Sequence, residues 1–463
     1  MTSPLRSFAA LLFLTLLALA AANWRSLPDP FLRHDDFPAL LGFEDVVSMT
    51  LNEGRWLNYW WVARDFFWSH QTHFVLYFLG WATFSAAFAA SSLAPGTAFV
   101  WRATLAVLMA LAPLHFNIAQ WFNTLVPGVW VLALYALAVL FTRWQVATAL
   151  LLVFSPLGFS AYTTYPFLMF GMLAARWDLP QDRRTYLTVT AAFVAAFALS
   201  VLAAYTLNYL HYGIFGIPPA PWRHPNPLIN IADIGENLAR LKALVYPVIL
   251  GLGMGYPQVG LLTFWIGILS LYALFRSDHA RSGFVVTPVI MGLGLLAANV
   301  VLTGVVFPVR AAIFLWLAMI FAMVRLAKRI SSGTGRLVIA VLLLWSLILF
   351  HGYQIDRNIR LFYTGWQTVT RELAQQVPPD STAIRIYGDY NALPEAQLAR
   401  IQSLWGLRMR LEYLTGVPAI DCTETPRACL DRTPPFGPGQ SPEKADVQLS
   451  GGIAFVRLPE TEE

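Results

Sequence analysis

Apolar runs of bilayer-spanning length recur along most of the chain. They lie near 7–22, 74–90, 99–115, 124–141, 146–160, 162–175, 187–209, 250–275, 283–306, 311–325 and 337–351. Set against roughly 30 Å of hydrocarbon, which a helix of about 20 apolar residues crosses, they predict eleven transmembrane helices. Two polar interruptions are longer than interhelical turns, 23–73 and 210–242. After Tyr353 the pattern becomes that of a water-exposed domain. Residues 357–376 read as helix, 383–389 as strand, 394–414 as an amphipathic helix and 453–458 as strand, which together predict a small α/β domain. The expected organisation is a membrane module over 1–352 and an external domain over 353–463.

Composition agrees with this pattern. The chain has 463 residues, 57% hydrophobic and only 12% charged, where a soluble domain carries about 25% charged residues. The reading is a polytopic α-helical membrane protein. A net charge of +5 does not indicate nucleic acid, because the cations are scattered over short connections and act as topology signals. With the N-terminus in the cytoplasm, the cytoplasmic connections hold many lysines and arginines against only Asp178, Asp182 and Asp278. The 23–73 loop and the C-terminal domain then lie outside. Leu19-Ala20-Ala21-Ala22 resembles a signal-peptidase site, and a retained first helix is the favoured reading because it anchors the loop that follows. Cys422 and Cys429 fall in the external tail, where an oxidising compartment permits a disulfide; two free thiols are the alternative.

Carboxylates are concentrated in the 23–73 loop: Asp29, Asp35, Asp36, Glu44, Asp45, Glu53 and Asp65, with none after them until Asp178. Asp36, before Phe37-Pro38, suits a helix cap, a role that does not account for an adjacent pair. The stretch 44–64 reads as one amphipathic helix lying along the membrane surface, with Trp56, Tyr59, Trp60 and Trp61 at the headgroup level. For these aromatics, interfacial anchoring competes with sugar stacking. Arg55 follows Gly54 within this cluster and is expected to meet a phosphate oxyanion.

Polar side chains elsewhere fall on the same external face. His34 and His115-Phe116-Asn117 belong to it, and a metal site from His70, His73 and His115 is a weak alternative there. The break Ser160–Tyr165 in the apolar stretch 146–175 must turn outside or within a cavity, since irregular backbone at membrane depth needs cover. Tyr162 and Tyr165 therefore either line a site or sit in a plain interfacial loop. The proline-rich segment with Arg223 and His224 is either a rigid spacer with a surface helix over 231–244 or a second functional loop facing the first. Arg310, opening a helix at Pro308-Val309-Arg310, either snorkels to lipid phosphates or clamps the phosphate of a bound lipid.

Acids, arginines and aromatics on the outer face of a helical bundle, without a nucleotide-binding glycine motif, imply an activated substrate that arrives in the lipid. Transfer of a polyprenyl-phosphate sugar needs a base for the acceptor hydroxyl and positive charge for the departing phosphate. Asp35 and Asp36 meet the first need, with Glu44 and Asp45 as a second acidic pair. Arg55, Arg310 and Arg223 meet the second. His34, Trp56, His115, Asn117, Tyr162, Tyr165 and His224 are the candidate sugar and acceptor contacts.

A first hydrophobic helix, an external acidic pair and a Gly54-Arg55-Trp56 juxtamembrane motif together resemble the membrane glycosyltransferases of the C-type fold (GT-C). With the Tyr162–Tyr165 turn, Pro308-x-Arg310 and Asn358-Ile359-Arg360-Leu361-Phe362-Tyr363, the likeness narrows to the Gtr-type serotype-converting O-antigen glucosyltransferases and covers about 30–365. The resemblance implies a GT-C-like bundle that transfers a hexose, glucose by analogy, from undecaprenyl phosphate to a lipid-linked or surface polysaccharide acceptor. It implies a location at the outer face of a bacterial inner membrane, with the C-terminal domain in the periplasm. Many C-type enzymes carry Asp-x-Asp or Glu-x-Asp where this chain has adjacent pairs, which leaves open which aspartate is the base. No cofactor is expected. A divalent metal such as magnesium or manganese stays open, although a lipid monophosphate leaving group carries less charge than a diphosphate and makes metal dispensable. The competing reading is a transporter or flippase for polysaccharide or lipid-linked sugar, whose charges would normally lie near the bilayer midplane, often with internal repeats.

Overall fold

The computed structural model describes residues 4–42, 47–331, 334–401, 404–423, 425–430, 434–436, 442 and 444–459. Eight helical spans among them are long and apolar enough to cross a membrane. Two shorter apolar helices, Trp144–Phe159 and Tyr165–Ala175, accompany them. Each expected apolar run falls on helix, but not always as one rod. The 99–115 run breaks at Ala110, because Pro113 lacks the N–H that would continue the ladder. Carbonyls left over at this helix end are taken by indoles: Trp316 Nε1 donates to Leu108 O and Trp81 Nε1 to Ala110 O, each at 3.0 Å. At 1.5 Å per residue, the 11-residue helix Tyr165–Ala175 reaches only about 16 Å and does not cross a bilayer alone.

The chain divides into two compact units. The first comprises residues 1–22, 44–64 and 73–354, and the second 23–43, 65–72 and 355–463. The first external loop is thus shared: its segment 44–64 belongs with the helical bundle, while the segments carrying Asp29, Asp35 and Asp36 belong with the C-terminal residues.

In the first unit, helix Tyr165–Ala175 is buried along its whole length, as is Ile313–Val324 of helix Ile313–Ile330. Helices apolar all round are the expected occupants of a bundle centre. Helix Arg183–Tyr212 has the opposite arrangement. Its inward face is Thr185, Val189, Phe193, Ala196, Ser200, Ala204 and Asn208, spaced three and four apart and mostly small, whereas Leu187, Val194, Leu199 and Leu202 point outward. Small residues inside and leucines outside fit a helix that packs closely on its neighbours and faces lipid. Charged groups gather at the two ends of the bundle. One end holds Arg176, Asp178, Asp278, Arg281 and Arg325; the other holds Glu53, Arg55, Arg223 and Arg310.

The second unit contains a four-stranded sheet, β1 (Ala383–Tyr387), β2 (Ala419–Asp421), β3 (Asp446–Ser450) and β4 (Ile453–Arg457), in the order β2-β1-β4-β3. β1 pairs in parallel with β2 and β4, and β3 with β4 antiparallel. Gly451 and Gly452, both at positive φ, form the two-residue turn of that hairpin. Ile384, Ile386, Ala454, Phe455 and Val456 form its core, with Leu407, Met409 and Leu411 of helix Leu404–Thr415 also buried. Cys422 and Cys429 are joined in a disulfide just after β2. The expected helix 394–414 is two helices, Pro394–Ala399 and Leu404–Thr415, because Arg400 takes a left-handed conformation and ends the first. That carbonyl accepts from Arg33 Nη1 at 2.6 Å.

Candidate functional site

The core of the site in the first unit is a turn built around Gly54. Helix Val47–Leu51 ends there, with Gly54 N–H donating to Thr50 O (2.8 Å) and Arg55 N–H to Met49 O (3.0 Å). Gly54 sits at φ +68°, and a Cβ on it would lie 2.8 Å from Ile217 Cδ1. Glycine is required here for both backbone sign and close approach. The single surface helix expected over 44–64 is therefore two short helices, Val47–Leu51 and Trp56–Val62, hinged at this residue.

Five side chains fasten the turn to the end of helix Arg183–Tyr212 and the proline-rich loop that follows. Thr50 Oγ1 and Tyr212 OH are 2.6 Å apart, and Asn52 Nδ2 donates to Pro218 O at 2.9 Å. Asn208, fully buried, donates through Nδ2 to Leu51 O (3.1 Å) and Gly216 O (2.5 Å), and its Oδ1 accepts from Trp56 Nε1 (2.9 Å). Trp56 is consequently a core residue: it is fully buried, with its ring 4.6 Å from that of His211. This overturns its expected place at the headgroup level, since an indole with a buried amide partner has no reason to seek the interface. Trp60 remains exposed.

The turn converges the arginines. Glu53 bridges two of them: Oε2 lies 3.0 Å from Arg55 Nη1, and Oε1 accepts from Arg223 Nη2. Arg55 and Arg310 both neighbour the Tyr162 hydroxyl, with the Arg55 guanidinium 5.5 Å from the Tyr162 ring centre. Arg310 also stacks over Trp121 at 3.9 Å. Three cations from distant parts of the chain thus meet around one carboxylate and one phenol. Guanidiniums carry five donors each in a planar fork, a geometry that suits an oxyanion. Glu53 itself is the member that sequence reasoning passed over, although its position next to Gly54-Arg55 was a usable signal. Asn208, a lone amide in an apolar helix, was another.

The Ser160–Thr164 turn is buried rather than a plain exposed loop. Helix Trp56–Val62 covers it: Leu57 N–H donates to Ser160 O and Asn58 Nδ2 to Ala161 O, each at 3.0 Å. On its other side Gly128 comes so close that a Cβ there would lie 2.4 Å from that of Ala161. Tyr162 and Tyr165 are both buried, with ring centres 5.2 Å apart. A hydrogen bond links Tyr165 to Tyr77, whose hydroxyl lies 3.0 Å from His115 Nε2. His115 is stacked face to face on Trp81 at 3.8 Å and buried. It is a satisfied core histidine that supports the tyrosines from behind, not a group open to a sugar. Asn117 is half-buried, its Oδ1 3.4 Å from Gln120 Nε2. His224 is exposed at φ +47°, and its carbonyl accepts from Arg240 at 2.9 Å. The expected surface helix forms as Ile231–Ala243, with an Asn230/Asp233 capping box.

Beside this cluster, His73 Nε2 faces Arg64 Nη2 at 3.1 Å and Nδ1 faces Asn123 Oδ1 at 2.9 Å. A guanidinium only donates, so Nε2 accepts and the proton sits on Nδ1. Burial holds the Arg64 pKa down to about 10.

In the second unit, Asp29 is the hub. Arg410, itself buried, approaches it with Nη2 at 2.7 Å and Nη1 at 3.3 Å; Arg371 Nη2 adds a contact at 2.5 Å and His70 Nε2 one at 3.4 Å. His70 Nδ1 lies 2.5 Å from Tyr413 OH, and Gln367 donates to the Asp29 carbonyl. Burial alone would raise the Asp29 pKa, but the bonds from His70, Arg410 and Arg371 outweigh it and hold the carboxyl well below the usual carboxylate range. Burial pushes the Tyr413 phenol up. Asp36 lies in the 3-10 turn His34–Asp36 and is fully buried. It is not a helix cap: Phe37 holds that position for helix Pro38–Leu41, with no side-chain bond. Asp35 shares the turn, His34 meets Trp405 edge-on at 6.0 Å, and Glu44 and Asp45 lie outside the described residues. Among the described residues no group of three His, Cys, Asp or Glu side chains is placed to hold a metal ion. His70 and His73 have the separate partners given above.

No protein-family model matches the chain, and no curated protein matches it. Fold and composition together define a polytopic helical membrane protein with a small C-terminal sheet.

Proposed function

We propose that the protein is a C-type membrane glycosyltransferase that moves a hexose from a polyprenyl-phosphate donor to a hydroxyl of a lipid-linked or surface glycan. The reading places it in a bacterial inner membrane, with eleven crossings, the N-terminus cytoplasmic and the C-terminal domain periplasmic. The observation that carries it is the convergence of Arg55, Arg223 and Arg310 at one end of the bundle, around Glu53 and Tyr162. Fixed guanidiniums at that end suit the oxygens of a lipid-borne phosphate.

In this reaction the acceptor hydroxyl oxygen bonds to the anomeric carbon. The bond from that carbon to the phosphate oxygen breaks, and its electron pair leaves with the polyprenyl phosphate. The arginines stabilise the charge that builds on the leaving group. The hydroxyl proton passes to a carboxylate of the Asp35–Asp36 pair, which the reading assigns as the base.

Purified protein supplied with radiolabelled polyprenyl-phosphate hexoses and candidate lipid-linked glycans tests the reading. Asp35→Asn or Asp36→Asn is expected to abolish transfer while donor binding persists. Wild-type transfer rates in both variants overturn the catalytic assignment. Movement of the intact donor across vesicles without transfer supports the transporter reading instead.

A further inference from the structure

We propose that the segment 226–243 is immersed in the membrane surface, with the outer face of its helix, Ile231–Ala243, lying against lipid acyl chains. The inference concerns a part of the chain that the proposed reaction does not use, and it stands or falls apart from that reaction.

The first observation is the orientation of the helix. On a surface that faces water, an amphipathic helix turns its apolar stripe inward. Here the order is reversed. Asn237 is fully buried and Arg240 half-buried, three positions apart on the inner face, while Ile231 is 87% exposed and Leu238 48% on the outer one. Ile229 just before the helix, and Val245 and Tyr246 just after it, are exposed as well.

The second observation is the end of helix His279–Thr303, on which this segment packs. The last carbonyls of a helix have no partner within it and ordinarily turn to water. At this end four in succession are taken by the 226–243 segment. Asn237 Nδ2 donates to Val301 O (3.0 Å), Leu228 N–H to Leu302 O (2.9 Å), Asn226 N–H to Thr303 O (2.8 Å) and Arg240 Nη1 to Gly304 O (2.9 Å). Gly304 permits the approach: it lies at φ +69°, and a Cβ on it would come within 2.6 Å of Asn226 N. Pairing every carbonyl of a helix end within the protein is what hydrocarbon demands, because lipid offers an orphaned carbonyl no donor. Those carbonyls draw the polar side chains of helix Ile231–Ala243 inward, which leaves its apolar residues outside.

Continuity identifies lipid as the occupant of that outer face. Leu302, 56% exposed at the same helix end, belongs to a helix long and apolar enough to cross the membrane, so the apolar surface of the segment extends the lipid-facing surface of the bundle. Charge sets the depth. Glu236 and Lys242 are exposed, which places the helix where hydrocarbon gives way to headgroups, with the Lys242 ammonium reaching outward along its apolar stem.

Nitroxide labels on Ile231→Cys and Leu238→Cys, in full-length protein reconstituted in phosphatidylcholine vesicles, test the proposal through collision with oxygen, which concentrates in lipid, and with a nickel chelate, which stays in water. Both side chains point outward, so labelling leaves the packing intact, and the disulfide between Cys422 and Cys429 leaves no native thiol to react. Leu269→Cys, on the exposed face of helix Pro257–Ser277, is the lipid reference, and Asp380→Cys, exposed in the second unit, is the water reference. The expected result at 231 and 238 is near-complete loss of collision with nickel, as at 269, with collision with oxygen retained. Nickel collision at the level of Asp380→Cys overturns the proposal in favour of a water-facing loop. Low collision with both reagents overturns it in favour of a protein partner, such as a second copy of the chain, covering this face.

Discussion

Replacing Asn208 by leucine, of similar size, is expected to loosen the Gly54 turn without unfolding the bundle. Three hydrogen bonds disappear: those to Leu51 O and Gly216 O, and that from Trp56 Nε1. Each is worth about 0.5–1.5 kcal/mol net, and a partner left unpaired in a buried place costs about 1–3 kcal/mol. Trp56 is fully buried and loses its acceptor outright, whereas Leu51 and Gly216 are half-buried and regain some contact with water. Three bonds at about 1 kcal/mol each give a local cost near 3 kcal/mol, with a range of about 2–5. An opening equilibrium shifted by about 3 kcal/mol speeds amide exchange roughly 100-fold where exchange reports that opening. Hydrogen exchange of the full-length protein in detergent should show this over 50–62 and 211–218. Helix Tyr165–Ala175, buried throughout, serves as the internal reference and should keep its protection. Exchange of the Gly54, Arg55 and Leu57 amides within about threefold of wild type would refute the idea that Asn208 holds the two loops together.

Further outcomes follow from the same contacts. In the second unit, the Asp29 carboxyl has a folded-state pKa below its ordinary 3.8, so its ion pairs contribute stability that is fully present above that value and is lost as pH falls through the folded pKa. Unfolding of wild type should therefore ease below about pH 4, and Asp29→Asn should be destabilised at pH 7 with a shallower acid limb; identical acid limbs for the two proteins would count against the hub. Gly54→Ala adds left-handed strain of about 1–2 kcal/mol and a Cβ 2.8 Å from Ile217, so it should weaken binding of an isoprenyl monophosphate through Arg55 and Arg223; unchanged affinity contradicts a role for that turn in placing the arginines. Glycosyl transfer is expected to persist at full rate in excess chelator, because guanidiniums carry the leaving-group charge in the proposed reaction, and loss of turnover restored by magnesium or manganese would count against that assignment.

The helices were legible because hydropathy is a local property: each apolar run lies on a helix, and the surface helix 231–243 announces itself through its capping residues. Strands β1 and β4, short and rich in β-branched and aromatic residues, were legible for the same reason. What escaped depended on partners far away in the chain. Trp56 reads as a membrane anchor until Asn208, 152 positions later, accepts its indole N–H. Helix 44–64 reads as continuous until Gly54 is seen packed on Ile217. The helix over 394–414 is interrupted at Arg400, whose carbonyl takes a bond from Arg33, 367 residues away. Strand β3 did carry a local signal, the Gly451-Gly452 pair before β4, while three-residue β2 carries almost none.

For the candidate site the division of the first loop matters most. Its density of carboxylates first marked it for chemistry, yet the acids do not act together. Glu53 is held between arginines of the bundle, and Asp29 is enclosed by cations in the second unit. Carboxylates fixed in ion pairs hold their charge and make poor proton acceptors at neutral pH, since a neighbouring guanidinium favours the ionised form. Those two are accordingly structural or charge-setting groups, and in the proposed reaction it is the Asp35–Asp36 pair that is assigned as base. The arginines point the same way from the opposite sign. Desolvated guanidiniums brought together from three segments repel one another, and such an arrangement persists when an anion offsets it. Glu53, paired with Arg55 and Arg223, is one such anion. The phosphate of the proposed donor would be another, bound through the paired N–H donors that guanidiniums offer an oxyanion, and that part of the proposal does not depend on the role of the acidic pair.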